Sequence, residues 1–487
     1  MLIGIDQGTT GTTCAAIDTE LGLVAEAYRE LPNRYPQPGW VEQDPEEIVG
    51  TVREAVKEVL DRVGERDGPW AAGLANQGET VVAWNRETGE ALAPAIVWSD
   101  TRAHSVTERL RGAGWDERIE DLTGLRLDSY FSAAKLSWLL ENNEPVAQAA
   151  AGDYLALGTL DTWLAWRLAG ERFSTDHSTA SRTQLLRLGG DAWDPELAEL
   201  FGVPSQALAA IQPSVGDWSE LNDSLWSRPL PWRASLVDQP AALVGNGCLD
   251  AGDIKVTYGT GCFVLVNAGS EIPVRPEGLL AVTAWSTNAE RVYALDGGAF
   301  TAGTAIRWLK QVGIIADAGD TSELAESVSD TNGATFLPAL TGLGSPWWQQ
   351  DVRGVFAGLS GGTTRAHLVR AVLDSIAFRV RDILEVVWAA GYPRPAALYV
   401  DGGLTRNRYL MQRQADVLGV PVRLAQHREA TAIGAAALAG VGAGLIDQSK
   451  LRSLRSGREP IEPTLSRGDA DAEYERWRLW AERACTL

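Results

Sequence analysis

A chain of 487 residues exceeds one small module and suggests two or three core-bearing units. Its 45% apolar and 22% charged content is ordinary for a folded protein and excludes wholesale disorder. With 43 basic and 64 acidic side chains the formal charge is −21, which argues against attachment to nucleic acid or an anionic membrane surface.

The first predicted element is an apolar strand, Leu2–Asp6, followed by the Gly/Thr turn Gln7–Thr13 and a second strand, Cys14–Ile17. The opening apolar run is too short, and lacks the basic flank, for a secretory leader. A third strand is expected near Leu23–Tyr28. Pro45–Arg62 has helical periodicity, with Ile48, Val52, Ala55, Val56 and Val59 on one face. Strand character returns at Ala72–Asn76 and Val81–Trp84, and Thr159–Leu168 is a short helix.

The opening pattern then recurs. Ile254–Thr257, the turn Tyr258-Gly259-Thr260-Gly261-Cys262 and Phe263–Val266 form a second strand–turn–strand about 250 residues on, which implies a duplication with a site between the copies. A Gly-rich boundary is expected near Asn246–Asp253, giving halves 1–247 and 248–487. Thr364–Ala390 is a long amphipathic helix. The small-apolar run from Ala432 to Ile446 is shorter than the ~20 residues that span a bilayer. Four cysteines and four histidines lie scattered, without disulfide or zinc spacing. A soluble cytoplasmic enzyme is the expectation.

In the turn Asp6-Gln7-Gly8-Thr9-Thr10, glycine permits close backbone approach, so successive N–H groups can converge on an anion. The threonine hydroxyls add donors, and Asp6 at the strand end can hold a metal ion through water. Paired with Gly259–Gly261, it makes a split phosphate clamp. Such a clamp lets a strongly acidic chain bind a nucleotide, because amides and Mg2+ neutralise the phosphates locally. A third Gly-rich turn, Asp401–Asn407, follows a strand and precedes a helix, where a nucleotide can lie on backbone amides. No P-loop and no G-x-G-x-x-G follows the first strand.

The strings I-G-I-D-Q-G-T-T, T-Y-G-T-G-C-F and V-D-G-G-x-x-x-N resemble the FGGY carbohydrate kinases of the actin/hexokinase/heat-shock-70 superfamily. Tyr130–Asn142 is similar to one family signature, and Gly354–Leu359 with His367, Ala371 and Asp374 to the other. Asn76–Thr80, Ala95–Trp98, Gly158–Leu164, Ala180–Thr183 and Thr341–Pro346 resemble the branch that phosphorylates glycerol. The resemblance implies an α/β fold of two actin-like (ribonuclease H-like) ATPase domains, each a mixed sheet flanked by helices, around a cleft. It implies ATP as co-substrate, Mg2+ as cofactor, and Asp238 as the base that takes the hydroxyl proton. Glu79, Tyr130, Asp238 and Gln239 would hold the polyol, and Thr9, Thr10, Thr260, Gly303, Gly403 and Asn407 the ATP. Asp238 is a second candidate beside Asp6 on the metal side.

Several positions depart from that branch. Gly78 stands where an arginine reaches the glycerol hydroxyls, leaving space and a weaker grip on a three-carbon polyol. Gly11 replaces a serine and Thr13 an arginine near the first phosphate turn, and Arg307 replaces a glutamine on the ATP side. Ser224–Val237 lacks the basic patch or histidine that carries regulation in some relatives, so no regulation is carried over. Glycerol, giving sn-glycerol 3-phosphate, is the first expected acceptor, a C4–C5 polyol or ketose the second. An actin-like ATPase working on a protein partner is a third reading, opposed by Glu79, Tyr130 and Asp238. The expected partners are a small polyol or sugar, with no nucleic acid and no membrane insertion; a homodimer or homotetramer is the candidate assembly.

Overall fold

A computed structural model of the chain describes residues 1–455 and 459–486; Leu487, the end of the second expected half, lies outside them. The first half is built on β1 (Leu2–Gln7), β2 (Gly11–Ile17), β3 (Leu23–Glu30), β4 (Ala71–Asn76) and β5 (Leu230–Val237), with α1 (Pro45–Val63), α2 (Ser132–Asn142) and α3 (Asp238–Gly245). The second half uses β6 (Ile254–Tyr258), β7 (Cys262–Gly269), β8 (Leu280–Ser286), β9 (Arg291–Ala299), β10 (Leu398–Asp401) and β11 (Val422–Leu424). Its helices include α4 (Gly303–Gln311), α5 (Arg365–Ala389), α6 (Arg408–Leu418) and α7 (Ala430–Gly442).

The duplication is visible in the strand order. The first sheet runs β5-β4-β1-β2-β3, extended by a two-residue edge strand Glu220–Leu221, and the second runs β11-β10-β6-β7-β9-β8. In both, the founding strand pairs antiparallel with its hairpin partner and parallel with the strand on its other side. These are mixed sheets, as the α/β reading requires.

The strands are short apolar runs because helices cover both faces. In β1, for example, Leu2, Ile3 and Ile5 are all buried. Asp44 caps α1 by accepting from Glu46 N at 2.9 Å, Pro45 starts it, and Gly64 ends it with φ +67°. Its expected face (Ile48, Val52, Ala55, Val56, Val59) is buried.

One expectation is corrected. Strand β2 begins at Gly11, three residues before Cys14, because Gly11, Thr12 and Thr13 pair with Glu30, Arg29 and Tyr28 of β3. The turn therefore shrinks to Gly8–Thr10. No described helix is long and apolar enough to cross a membrane.

The halves are joined by one hydrophobic cluster that mixes Leu2, Ala71 and Leu236 of the first with Leu265, Val282 and Trp285 of the second. Helix α7 lies at its centre, against β1, β4 and α3. The two helices run antiparallel in this packing, with Ala430 at the start of α7 against Gly245 at the end of α3 and Gly434 against Ala241.

Candidate active site

Two turns face the cleft. In the first, Gly8 N donates to Gly11 O at 2.9 Å, leaving Thr9 and Thr10 partly or fully exposed. Polar side chains beneath hold it: Gln43 Nε2 donates to Thr9 O at 2.7 Å and Tyr28 Oη to Thr10 O at 2.8 Å. Trp98 Nε1 donates to Thr9 Oγ1 at 2.8 Å, which fixes that hydroxyl's rotamer. A Cβ at Gly11 would collide with the Arg29 carbonyl oxygen as well as the Tyr28 hydroxyl, so the close pairing with β3 admits only glycine there.

The second turn repeats the device. Gly259 N donates to Gly261 O at 2.9 Å, and Thr260 is exposed. The start of α4 docks on it, with Gly303 N donating to Gly259 O at 3.1 Å and Thr304 N to Thr260 O at 3.1 Å. A Cβ at Gly303 would stand 2.6 Å from Gly259 O, so only glycine allows this approach. Arg307, one turn along α4, is exposed. Gly402 rests against the Tyr258 backbone, which brings the third turn beside the second, and Gly403 is open to solvent. Asn407 caps α6 by accepting from Leu410 N at 2.9 Å, and its amide donates to Thr321 Oγ1 at 2.9 Å. Its side chain is thus occupied in building the loop.

Between the turns lie carboxylates. Burial raises the Asp6 carboxyl well above the usual range, reinforced by Asp238, Glu429 and Asp401. Glu429 accepts from Thr13 Oγ1 at 3.3 Å, and Asp401 accepts from Asn246 Nδ2 at 2.6 Å. Asp238 opens α3, with its Oδ1 accepting from Gln239 N at 2.7 Å. Burial and nearby Glu79 push its carboxyl up to about 6, against the pull of Lys255, the Gln239 amide and Arg182. Lys255 Nζ donates to Gln239 Oε1 at 2.5 Å and Thr257 Oγ1 at 2.6 Å.

Strand register explains this convergence. Lys255 pairs with Leu265, and Leu265 with Asp296; Thr257 pairs with Phe263 and with Asp401. Because side chains alternate, all of these share the sheet face turned to the cleft.

Beyond Asp238, Glu79 is buried and takes the Nε–H of Arg182. Arg182 Nη1 reaches Asp296 Oδ2 at 2.7 Å, and Nη2 reaches Tyr130 Oη at 3.3 Å. Trp98 packs edge-on against Tyr130 with centroids 5.4 Å apart, forming one wall. Gly78 does not leave the open space expected of it. A Cβ there would stand 3.1 Å from Val237 Cγ1 and 3.2 Å from Arg182 Cδ, so neighbouring side chains already fill the position. Arg182 also supplies a cation where Gly78 has none.

Of the residues named from sequence, Asp6, Asp238, Gln239, Glu79 and Tyr130 fall together beside the two turns. Lys255, Glu429, Asp296 and the pairing role of Arg182 were not foreseen. Lys255 alone carried a signal, a charge inside the apolar run Ile254–Val256. His177 is buried with Nδ1 2.9 Å from Ser286 Oγ, and His367 caps α5; both are structural.

The profile of the N-terminal domain of the FGGY family of carbohydrate kinases matches residues 1–245, and that of its C-terminal domain residues 254–443. A glycerol kinase of Thermus brockianus is 43% identical over 99% of this chain and 98% of its own length. Glycerol kinase 2 of Thermotoga maritima is 39% identical over 99% and 98%. Among solved structures, a Plasmodium falciparum glycerol kinase with ADP aligns at a TM-score of 0.91 and 30% identity, covering 99% of this chain and 97% of that one. A xylulose kinase of Rhodospirillum rubrum aligns at 0.87 and 25%, covering 100% and 98%.

Proposed function

Because the chain belongs to the FGGY family of carbohydrate kinases, we propose that it transfers the γ-phosphoryl group of ATP to a terminal hydroxyl of glycerol, giving sn-glycerol 3-phosphate. One observation carries the reading. Asp238 lies within electrostatic reach of Asp6 on the phosphate side and of Glu79 and Arg182 on the polyol side. The names of the full-length relatives support glycerol as the acceptor.

The chemistry asks mostly for positioning and charge neutralisation. With the Gly8 and Gly259 amides closing the turns, the amides of Thr9, Thr10, Thr260 and Gly261 would grip the phosphates from two sides, with Gly303, Arg307, Gly403 and Asn407 on the nucleoside side. The hydroxyl oxygen attacks phosphorus as the bond to the β-phosphate oxygen breaks, and its proton passes to a carboxylate oxygen of Asp238. Asp6 Oδ1 is buried without a hydrogen-bond partner, and this hard-oxygen setting fits Mg2+. Among the described residues no three His, Cys, Asp or Glu side chains converge closely enough to hold an ion alone. Asp6, with Asp238 beside it, would therefore act through water and the nucleotide's own oxygens. Bound Mg2+ supplies the neutralisation of charge on the β- and γ-phosphates. We place the division between the halves at 247/248, where α3 has ended and Gly247 turns the chain with φ +68°.

Turnover of glycerol, erythritol, ribitol and xylulose with Mg-ATP tests the acceptor. Glycerol should give a kcat/KM at least about tenfold above the others, within what one or two lost or surplus carbons are worth in a shaped pocket. A C4–C5 acceptor matching glycerol would establish the second reading, although the space at Gly78 is already taken by Val237 and Arg182. The pH profile tests the base. Asp238 works only when ionised, so kcat/KM should be flat above pH about 7 and fall about tenfold per unit below the carboxyl's value of about 6. A rate at pH 5 equal to that at pH 8 would rule out this assignment.

A further inference from the structure

Arg182 is the feature of the cleft that phosphoryl transfer leaves unexplained. It follows the single helical turn His177–Ala180 and is buried, one cation between two carboxylates. Glu79 belongs to the first half, just beyond β4, and Asp296 sits on β9 of the second. The guanidinium therefore spans the cleft floor. Burial works against its charge, but Glu79 and Asp296 outweigh that and hold it firmly protonated.

A guanidinium carries five N–H donors in a rigid fork. Glu79, Asp296 and Tyr130 each take one, leaving two uncommitted on Nη1 and Nη2. The stem packs against Gly78, with Cδ 3.2 Å from where that residue's Cβ would stand, so the fork is braced from behind. Its plane also lies near the Tyr130 ring, 5.8 Å from the centroid.

We infer that Arg182 selects the acceptor: anchored across the cleft by Asp296, it orients Glu79 and Tyr130 and offers its two remaining N–H groups to adjacent hydroxyls of a short polyol. The inference rests on the kinase reading of the cleft. Nothing in it involves the nucleotide, whose turns lie on the far side of Asp238. Acceptor and ATP parameters should therefore separate.

The test measures kcat and KM for glycerol and for ATP separately in the wild-type enzyme, Arg182→Lys and Asp296→Asn, with erythritol as a second acceptor. Lysine keeps the charge but not the fork. Arg182→Lys should raise the glycerol KM at least about tenfold, leave the ATP KM within about twofold, and shrink the preference for glycerol over erythritol about tenfold. Asp296→Asn keeps shape and leaves the Glu79 pair, so the same changes should appear at about threefold. Glycerol KM and acceptor preference within about twofold of wild type in both variants overturn the inference, as does a parallel rise in the KM of both substrates. If Arg182→Lys fails to fold, Asp296→Asn decides by its own threshold. A wild-type enzyme that phosphorylates no polyol overturns the kinase reading and this inference together. Wild-type turnover with unaltered variants overturns this inference alone.

Discussion

Replacing Asp238 with asparagine should lower kcat for glycerol phosphorylation by about 10³-fold while leaving the KM for ATP within about twofold, since a positioned general base contributes about 10²–10⁴. The substitution is nearly isosteric, and the amide oxygen can still accept from Gln239 N. What it loses is a site for the hydroxyl proton. The two Gly/Thr turns are held by Gln43, Tyr28, Trp98 and the start of α4, and Asp6 stays in place on the metal side, so nucleotide binding should change little.

The same substitution has a stability signature of opposite sign. The folded-state carboxyl, at about 6, lies above its unfolded value, so ionising Asp238 opposes folding. That penalty is absent below the unfolded pKa, grows as pH rises, and is complete above about 6. A neutral side chain should therefore raise the melting temperature at pH 7.5 and leave it unchanged near pH 3.5. Activity lost together with a lower melting temperature at pH 7.5 would mean damage to the fold, and full activity would mean that another group takes the proton.

How much of this was legible in the sequence depended on distance along the chain. The duplication was readable because each copy carries its strand, Gly/Thr turn and strand within about fifteen residues, and local spacing reports local pairing. Asp6 stood out for a related reason, ending an apolar run at a turn, whereas Asp238 was named through the family resemblance and lies at the start of α3. Arg182 and Asp296 are 114 positions apart, and nothing in either neighbourhood says that they pair. Gly78 shows the same limit. Its missing side chain suggested room, but the space belongs to Val237 and to the stem of Arg182, which arrive from other parts of the chain. The late start assigned to β2 has a local cause: Gly11-Thr12-Thr13 has turn composition, and only pairing with β3 makes it a strand.

Substitution of Gly434 by valine should cost about 4 kcal/mol or more, because overpacking into backbone has no flexible neighbour to absorb it. Gly434 lies in α7 where that helix crosses α3. A Cβ there would collide with the Ala241 carbonyl oxygen and stand 2.7 Å from Gly245 N. The contact is reciprocal, since a Cβ at Gly245 would collide with the Ala430 carbonyl oxygen. On the other side of α7, Gly4 and Gly73 admit the Ala432 and Ala435 carbonyls in the same way, so the helix cannot retreat into the sheet. At about 2–4 °C per kcal/mol for a unit of this size, the melting temperature should fall by roughly 10 °C. The helix that must move begins beside Glu429, and its neighbour begins with Asp238. Displacements of about 1 Å at reacting groups cost about 10²-fold, so the folded fraction should lose activity as well as stability. Gly50 is the control. It sits inside α1 with nothing within 4 Å of its would-be Cβ, so alanine there should stabilise by about 0.5–1 kcal/mol and leave turnover unchanged. Equal melting temperatures for Gly434→Val and wild type would mean that α3 and α7 are not in fixed contact, and the route by which the fold brings Asp238 to the carboxylates around Asp6 would have to be sought elsewhere.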